Sequence, residues 1–114
     1  NESERGGVTA SANSASFSLD YTNAQAITIG TEWSGKDGGA ALSMSEMPDP
    51  GLPAERAHAV ERVALQCRTG HGAMLALNDS KGRQRIVLEV DGDDVPRIRI
   101  LDERGAVVAQ LPPS

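Results

Sequence analysis

Apolar and polar residues alternate with a period of two along most of the chain, and short polar segments interrupt the alternation about every dozen residues. This pattern is typical of β-strands that cover one face and expose the other, joined by tight turns. In the C-terminal half it predicts strands over residues 74–77, 85–90, 97–101 and 106–109.

The turns between these strands carry their own signal. Asp79 to Gly82 and Asp102 to Gly105 share an Asp-x-x-Gly pattern. Such an Asp accepts a hydrogen bond from the backbone two residues later, and the Gly adopts the left-handed conformation that closes a type I turn with a bulge. We therefore predict three consecutive hairpins in this half of the chain.

The central hairpin predicts a register. Placing Leu88 opposite Ile98 sets Glu89 opposite Arg97 on the other side of the sheet. One face is then aliphatic, and the other is charged with a complementary cross-strand pair. This is the pattern of a half-buried antiparallel ribbon.

The N-terminal third alternates less cleanly, over residues 16–21, 27–33 and 41–44, and residues 8–15 form either an edge strand or a flexible lead-in. The fold class is all-β, with seven or eight short antiparallel strands joined by hairpins. This count fits a small sandwich, a barrel, or a meander that stacks on a second copy.

The middle of the chain is the least regular part. Pro48, Pro50 and Pro53 make a loop that does not fit inside a sheet. Strong helix formers follow Pro53, and they predict one short helix near residues 54–61 that leads into a strand near 62–68. We expect a single domain over residues 8–111, between a flexible polar lead (1–7) and a short tail (112–114).

The composition points to a thin core. The 114 residues include one Phe, one Tyr and one Trp. Large aromatic rings dominate the burial of most small cores, so this core must be aliphatic. A thin core in a clearly patterned chain indicates that apolar surface is buried against another copy or a partner.

The charge excludes one class of partner. Eleven Lys and Arg against sixteen Asp and Glu give a net charge of −5. A generally basic surface for nucleic acid is therefore excluded. No segment approaches the roughly 18 consecutive apolar residues of a membrane-spanning helix, so we expect no membrane insertion.

Candidate chemistry is sparse. Cys67 with His58 and His71 supplies too few ligands for a zinc site, which needs three or four. A nucleophile paired with His71 needs a third, orienting group, and no serine lies in a Gly-x-Ser-x-Gly turn. We expect no catalytic, metal-binding or cofactor-binding residues and no enzyme activity. A hydrolase would require His71 within hydrogen-bond reach of a serine or of Cys67.

The acidic turn Asp91-Gly92-Asp93-Asp94 has a calcium alternative, because calcium prefers several oxygen ligands from one loop. Its spacing matches no calcium loop and lacks the distal bidentate Glu. We interpret it as a solvated hairpin turn.

Four charged residues on adjacent strands are the candidate interaction site: Arg85, Glu89, Arg97 and Arg99. Arginine pairs bidentately with carboxylate or phosphate, so these residues fit an anionic partner. The many carboxylates in the same stretch favour a self-neutralised, solvated face that also protects strand edges.

The leading hypothesis is a non-enzymatic interaction or assembly module that associates with itself or with another protein. The alternative is a small barrel that binds an apolar or amphipathic ligand near Phe17, Tyr21 and Trp33, the three aromatic residues.

Overall fold

The computed structural model describes residues 6–113. Residues 1–5 of the expected lead and residue 114 of the expected tail lie outside this range. The first strand begins at Gly6, so the regular structure starts two residues before the domain boundary that the sequence predicted.

The described chain forms one open antiparallel sheet in which every strand pairs with the next strand in sequence. The nine strands are β1 (Gly6–Ala10), β2 (Ser14–Asp20), β3 (Gln25–Ser34), β4 (Asp37–Glu46), β5 (Val60–Arg68), β6 (Gly72–Asn78), β7 (Gln84–Val90), β8 (Pro96–Leu101) and β9 (Val107–Leu111). The all-β class with hairpin-joined antiparallel strands is confirmed.

The strand count and arrangement differ from the prediction. Nine strands replace seven or eight, because residues 6–10 form an edge strand despite their small side chains. The described residues form neither a sandwich nor a barrel, since all nine strands lie in one sheet and its two edge strands, β1 and β9, do not pair with each other. Alternation within a strand predicts that one face of the sheet is apolar; it does not predict what packs on that face.

The predicted helix near residues 54–61 is wrong. Only a 3-10 turn over Ala54–Arg56 forms, and Ala57 is already extended at φ −88° and ψ 121°. The apolar alternation from Val60 draws the chain into β5. Too few residues remain before that strand to offset the cost of nucleating an α-helix.

The pairing register aligns one apolar residue from every strand across the whole sheet. The predicted pairs Leu88–Ile98 and Glu89–Arg97 are both present. We call the complete line the apolar row, and it consists of Val8, Phe17, Ile29, Leu42, Leu65, Leu75, Leu88, Ile98 and Leu111.

The few buried side chains lie on the opposite side of the sheet. The molecule measures 53 × 36 × 15 Å, which is the thickness of a single layer. Within residues 6–113 the buried apolar side chains are Ala76 (0% exposed) and Val87 (2% exposed). These two residues pair with each other, and Val87 also lies opposite Arg99. The charged face therefore holds the only such burial in this range.

The three predicted hairpins share one turn, which we call the aspartate turn. Its Asp Oδ1 accepts backbone N–H groups from the residues two and four positions later, at 2.8–3.1 Å, in Asp79, Asp91 and Asp102. The residue three positions later has positive φ: Gly82 at 80°, Asp94 at 65° and Gly105 at 87°. The acidic segment is thus a third copy of the turn, with Asp in the left-handed position that Gly occupies elsewhere.

Candidate interaction face

The side of the sheet that carries the apolar row is open to solvent. Val8 is 76% exposed, Leu65 in the central strand is 48% exposed, and Leu111 at the far edge is 61% exposed. A domain normally buries such a face against a second layer. Within the described range no element packs over this side.

A second apolar line flanks the first, and together the two lines define the apolar face. Its members are Leu19, Ile27, Met44, Val63, Leu77, Ile86, Ile100 and Ala109. None of the residues in either line is charged. The face therefore presents a continuous hydrophobic surface from β1 to β9.

The dimensions of the sheet set an upper limit on the area of this face. The two long dimensions, 53 and 36 Å, limit it to about 1,900 Å². A standard stable interface covers about 800 Å² on each partner, and the largest apolar patch on a typical monomer is roughly 300–600 Å². The sheet is therefore wide enough to carry a contact of standard size.

The four charged candidate residues lie on the opposite face, and each is engaged within the chain. Arg97 pairs with Asp91 at 2.5 Å, and Arg85 with Asp79 at 3.4 Å. Arg85 also donates through Nε to the Leu101 carbonyl oxygen at 2.8 Å. These pairs link the strands to the aspartate turns.

The cross-strand pair differs from the expected one. Glu89 lies opposite Arg97 in register, yet its carboxylate bonds the diagonal Arg99. Arg97 turns instead to Asp91. Diagonal neighbours lie within reach of long side chains, so Glu89 and Asp91 each neutralise one arginine of β8. This favours the interpretation of a self-neutralised face.

The aspartate turns hold their carboxylates in the ionised form. The Arg97 hydrogen bond and the backbone N–H groups of Val95 and Asp93 lower the pKa of Asp91. The same bond raises the pKa of Arg97. For the acidic segment, this means that Asp91 is occupied by turn N–H groups and an arginine.

The other two aspartate turns show the same direction. The backbone N–H groups of Ala106 and Arg104 lower the pKa of Asp102. For Asp79, desolvation opposes the shift, but N–H donors from Arg83 and Lys81 and the Arg83 guanidinium outweigh it and lower the pKa. The charge of each turn is therefore part of the folded structure.

The N-terminal part of the polar face has a different character. It is built from small residues, which leave an open depression of about 480 Å³ across β2–β5. Glu32 and Arg68 form an ion pair at its rim, at 3.2 Å. The Arg68 guanidinium lies over Gly39, where an added Cβ would come within 2.6 Å of it. Small side chains alone do not define a ligand.

The three aromatic residues are not brought together. Phe17 lies opposite Ile29 in the middle of β2, the second strand of the sheet. Tyr21 directly follows the end of β2 and donates its hydroxyl to the Ser45 carbonyl oxygen at 3.0 Å. Trp33 lies near the opposite end of these strands, where its backbone N–H donates to the Asn13 carbonyl oxygen at 2.9 Å. This separation gives no support to a common ligand site.

Sequence reasoning missed a contact that anchors the long β4–β5 connection. The Asn23 side-chain amide donates to the carbonyl oxygens of Asp49 and Leu52, both at 3.0 Å. An Asn in a turn is the only sequence signal for it, and that signal does not name the partner.

The remaining chemical candidates are dispersed. Cys67 is exposed and lies opposite Ala40 and Ala73, beside the apolar row. His71 belongs to the β5–β6 turn, where its backbone N–H donates to the Arg68 carbonyl oxygen. Over residues 6–113, no group of three or more His, Cys, Asp or Glu is placed to hold a metal ion.

The helical content of the described region is one 3-10 turn of three residues, and no helix there is long and apolar enough to cross a membrane. Comparison with protein-family models, with curated proteins and with solved structures finds no match to this chain.

Proposed function

We propose that this chain is a non-enzymatic assembly module whose apolar face packs against the same face of a second copy. The observation that carries the proposal is the apolar row, which crosses all nine strands and is left uncovered by the described chain. The row supplies one half of a two-layer core, and the second copy supplies the other half.

The architecture favours a second sheet as the occupant. Two sheets pack face to face with their inner side chains interdigitated, about 10 Å apart. Burial of apolar surface stabilises by about 25 cal/mol per Å². A face of this size therefore yields a strong driving force even if only part of it is covered.

The charge pattern favours a copy of the chain over a lipid surface. Surface-bound elements combine an apolar side with Lys or Arg that attract anionic lipids. This chain has a net charge of −5, and the arginines of its C-terminal polar face are paired with carboxylates. A second copy brings an uncharged apolar face of the same extent.

The test is a matched pair of variants in the central strand. Leu65→Asp places a charge on the apolar face, and the control Gln66→Asp places the same charge on the adjacent position of the opposite face. Light scattering behind a sizing column, across a tenfold dilution, measures the solution mass of both variants and of the unaltered chain.

We expect the unaltered chain and Gln66→Asp to form an assembly that persists on dilution. We expect Leu65→Asp to lose that assembly, either as a smaller folded species or as an unfolded chain by circular dichroism. The proposal would be contradicted if the unaltered chain eluted as a folded 12.0 kDa monomer. It would also be contradicted if Leu65→Asp and Gln66→Asp had the same solution mass.

A further inference from the structure

The two edges of the sheet are protected to different degrees. β9 ends at Leu111 and is followed by Pro112 and Pro113, which carry no backbone N–H. Its pairing with β8 also contains a register shift between Ile100 and Leu101. Prolines and irregularities of this kind block the addition of another strand.

Over its described residues, the β1 edge has none of these devices. Its five residues, Gly6–Ala10, include no charge and no proline. They pair with β2 in an unbroken register. Val8 at its centre is 76% exposed and is the most exposed large hydrophobic residue of the described range. A straight, uncharged edge strand is a template for strand addition.

We infer that β1 pairs with β1 of a second copy, antiparallel and centred on Val8. This register sets Val8 beside the partner's Val8 and sets Gly7 beside the partner's Thr9. The small residues of the strand leave room for every pair. The two-fold axis is perpendicular to the sheet, so both apolar faces lie on the same side.

A second copy fits this edge because the row continues through it. The apolar row ends at Val8, and a partner's Val8 extends it without a break. A strand from another protein would need the same alternation of one apolar residue between small ones. This contact uses the edge and is independent of the face-to-face contact proposed above.

The two contacts together predict a four-copy assembly. Two sheets joined at β1 form one wide layer, and two such layers pack through their apolar faces. The expected mass is then about 48 kDa, four times the 12.0 kDa of one chain. Loss of either contact alone leaves pairs of about 24 kDa.

The edge is tested with two lysine variants, one on each edge strand. Val8→Lys places like charges opposite each other at the proposed two-fold axis. Gln110→Lys places the same charge on β9, on the polar face opposite Arg99 and outside both proposed contacts. We expect Val8→Lys to halve the solution mass and Gln110→Lys to leave it unchanged.

A mixing experiment tests the register. Val8→Glu alone is expected to halve the mass, as Val8→Lys does. An equimolar mixture of the two variants is expected to recover the full mass, because opposite charges then meet across the axis. An unchanged mass for Val8→Lys, a mixture that fails to recover, or an equal loss in Gln110→Lys would overturn the inference.

These outcomes are distinct from those of the face. A chain whose faces do not pack but whose edges do is expected at about 24 kDa, falling to one copy in Val8→Lys. A chain whose faces pack but whose edges do not keeps its mass in Val8→Lys and loses it in Leu65→Asp.

Discussion

The strands β1–β4 and the strands β6–β9 contribute equally to the apolar row but differ in their turns and in their polar faces. The C-terminal strands carry three aspartate turns and a polar face of paired arginines and carboxylates. The N-terminal strands carry small polar residues and have no turn of this type in the described range. The side-chain bonds of the C-terminal half join neighbouring strands and turns, whereas those of Tyr21 and Asn23 in the N-terminal half reach residues more than twenty positions away.

This difference predicts which half of the sheet can bury apolar side chains without a second layer. Val87 is 2% exposed and is bordered on its own strand by Arg85 and Glu89. Long polar side chains bury apolar surface along their stems while their charged ends stay in water. The C-terminal half therefore has a small covered site of its own, and the N-terminal half does not.

The largest expected effect comes from that covered site. Val87→Asp buries an unpaired charge, and we expect it to lower the free energy of unfolding by roughly 3 kcal/mol or more. Thr28→Asp lies on the same face in β3, where we expect a change within about 1 kcal/mol. Urea denaturation followed by circular dichroism measures both. Equal losses would break the distinction between the halves.

The next effect is acid sensitivity of the C-terminal half. The folded pKa values of Asp79, Asp91 and Asp102 lie below the ordinary value of 3.8. The stability from these groups is therefore fully present above pH 3.8 and is lost as the pH falls through the folded pKa values.

The measurement is a denaturation series at decreasing pH. We expect a variant with all three aspartates changed to Asn to be less stable at neutral pH and to lose less of its stability on acidification. If the free energy of unfolding of the unaltered chain stayed constant at pH values under about 4, this would contradict the role given to the ionised turns.

Two glycine-to-alanine variants, one in each half, are expected to change the free energy of unfolding by smaller amounts and in opposite directions. Gly82 has φ +80°, and we expect Gly82→Ala to cost about 1–2 kcal/mol because an L-residue is strained there. Gly30 lies within β3, where a Cβ meets neighbours only at 3.5 Å. We expect Gly30→Ala to stabilise by up to about 1 kcal/mol. Thermal unfolding distinguishes the two signs.

The smallest expected effect is at the connection between β4 and β5. Asn23→Ala removes two hydrogen bonds to that segment, and we expect a loss of about 1 kcal/mol. Amide hydrogen exchange is expected to rise in residues 47–59 and to stay unchanged in the aspartate turns. Faster exchange throughout the sheet would show that the connection supports the whole N-terminal half.

The contrast between the halves also explains which elements of the fold could be predicted from the sequence. The Asp79 and Asp102 turns and the Leu88–Ile98 register were predicted correctly, because turn chemistry and alternation are local. The helix near residues 54–61 was not, because the start of β5 overrides local helix propensity.

The site was harder to predict than the hairpins. The sequence pattern identified the charged face that carries Arg97 and Arg99 as the candidate site. In the structure both arginines form ion pairs with carboxylates of the same chain. The uncovered apolar row depends on the register of all nine strands and on the lack of a second layer in the described chain. Neither property can be predicted from any short segment of the sequence.

The alkylation rate of Cys67 reports whether the apolar face is covered in solution. It is the only cysteine and it lies beside the apolar row. The experiment compares its alkylation rate by iodoacetamide in the native chain, in Leu65→Asp and in the urea-unfolded chain. We expect the native rate to be at least about tenfold slower than the unfolded rate, and we expect Leu65→Asp to lose this protection. A native thiol that reacts as fast as the unfolded one would contradict it.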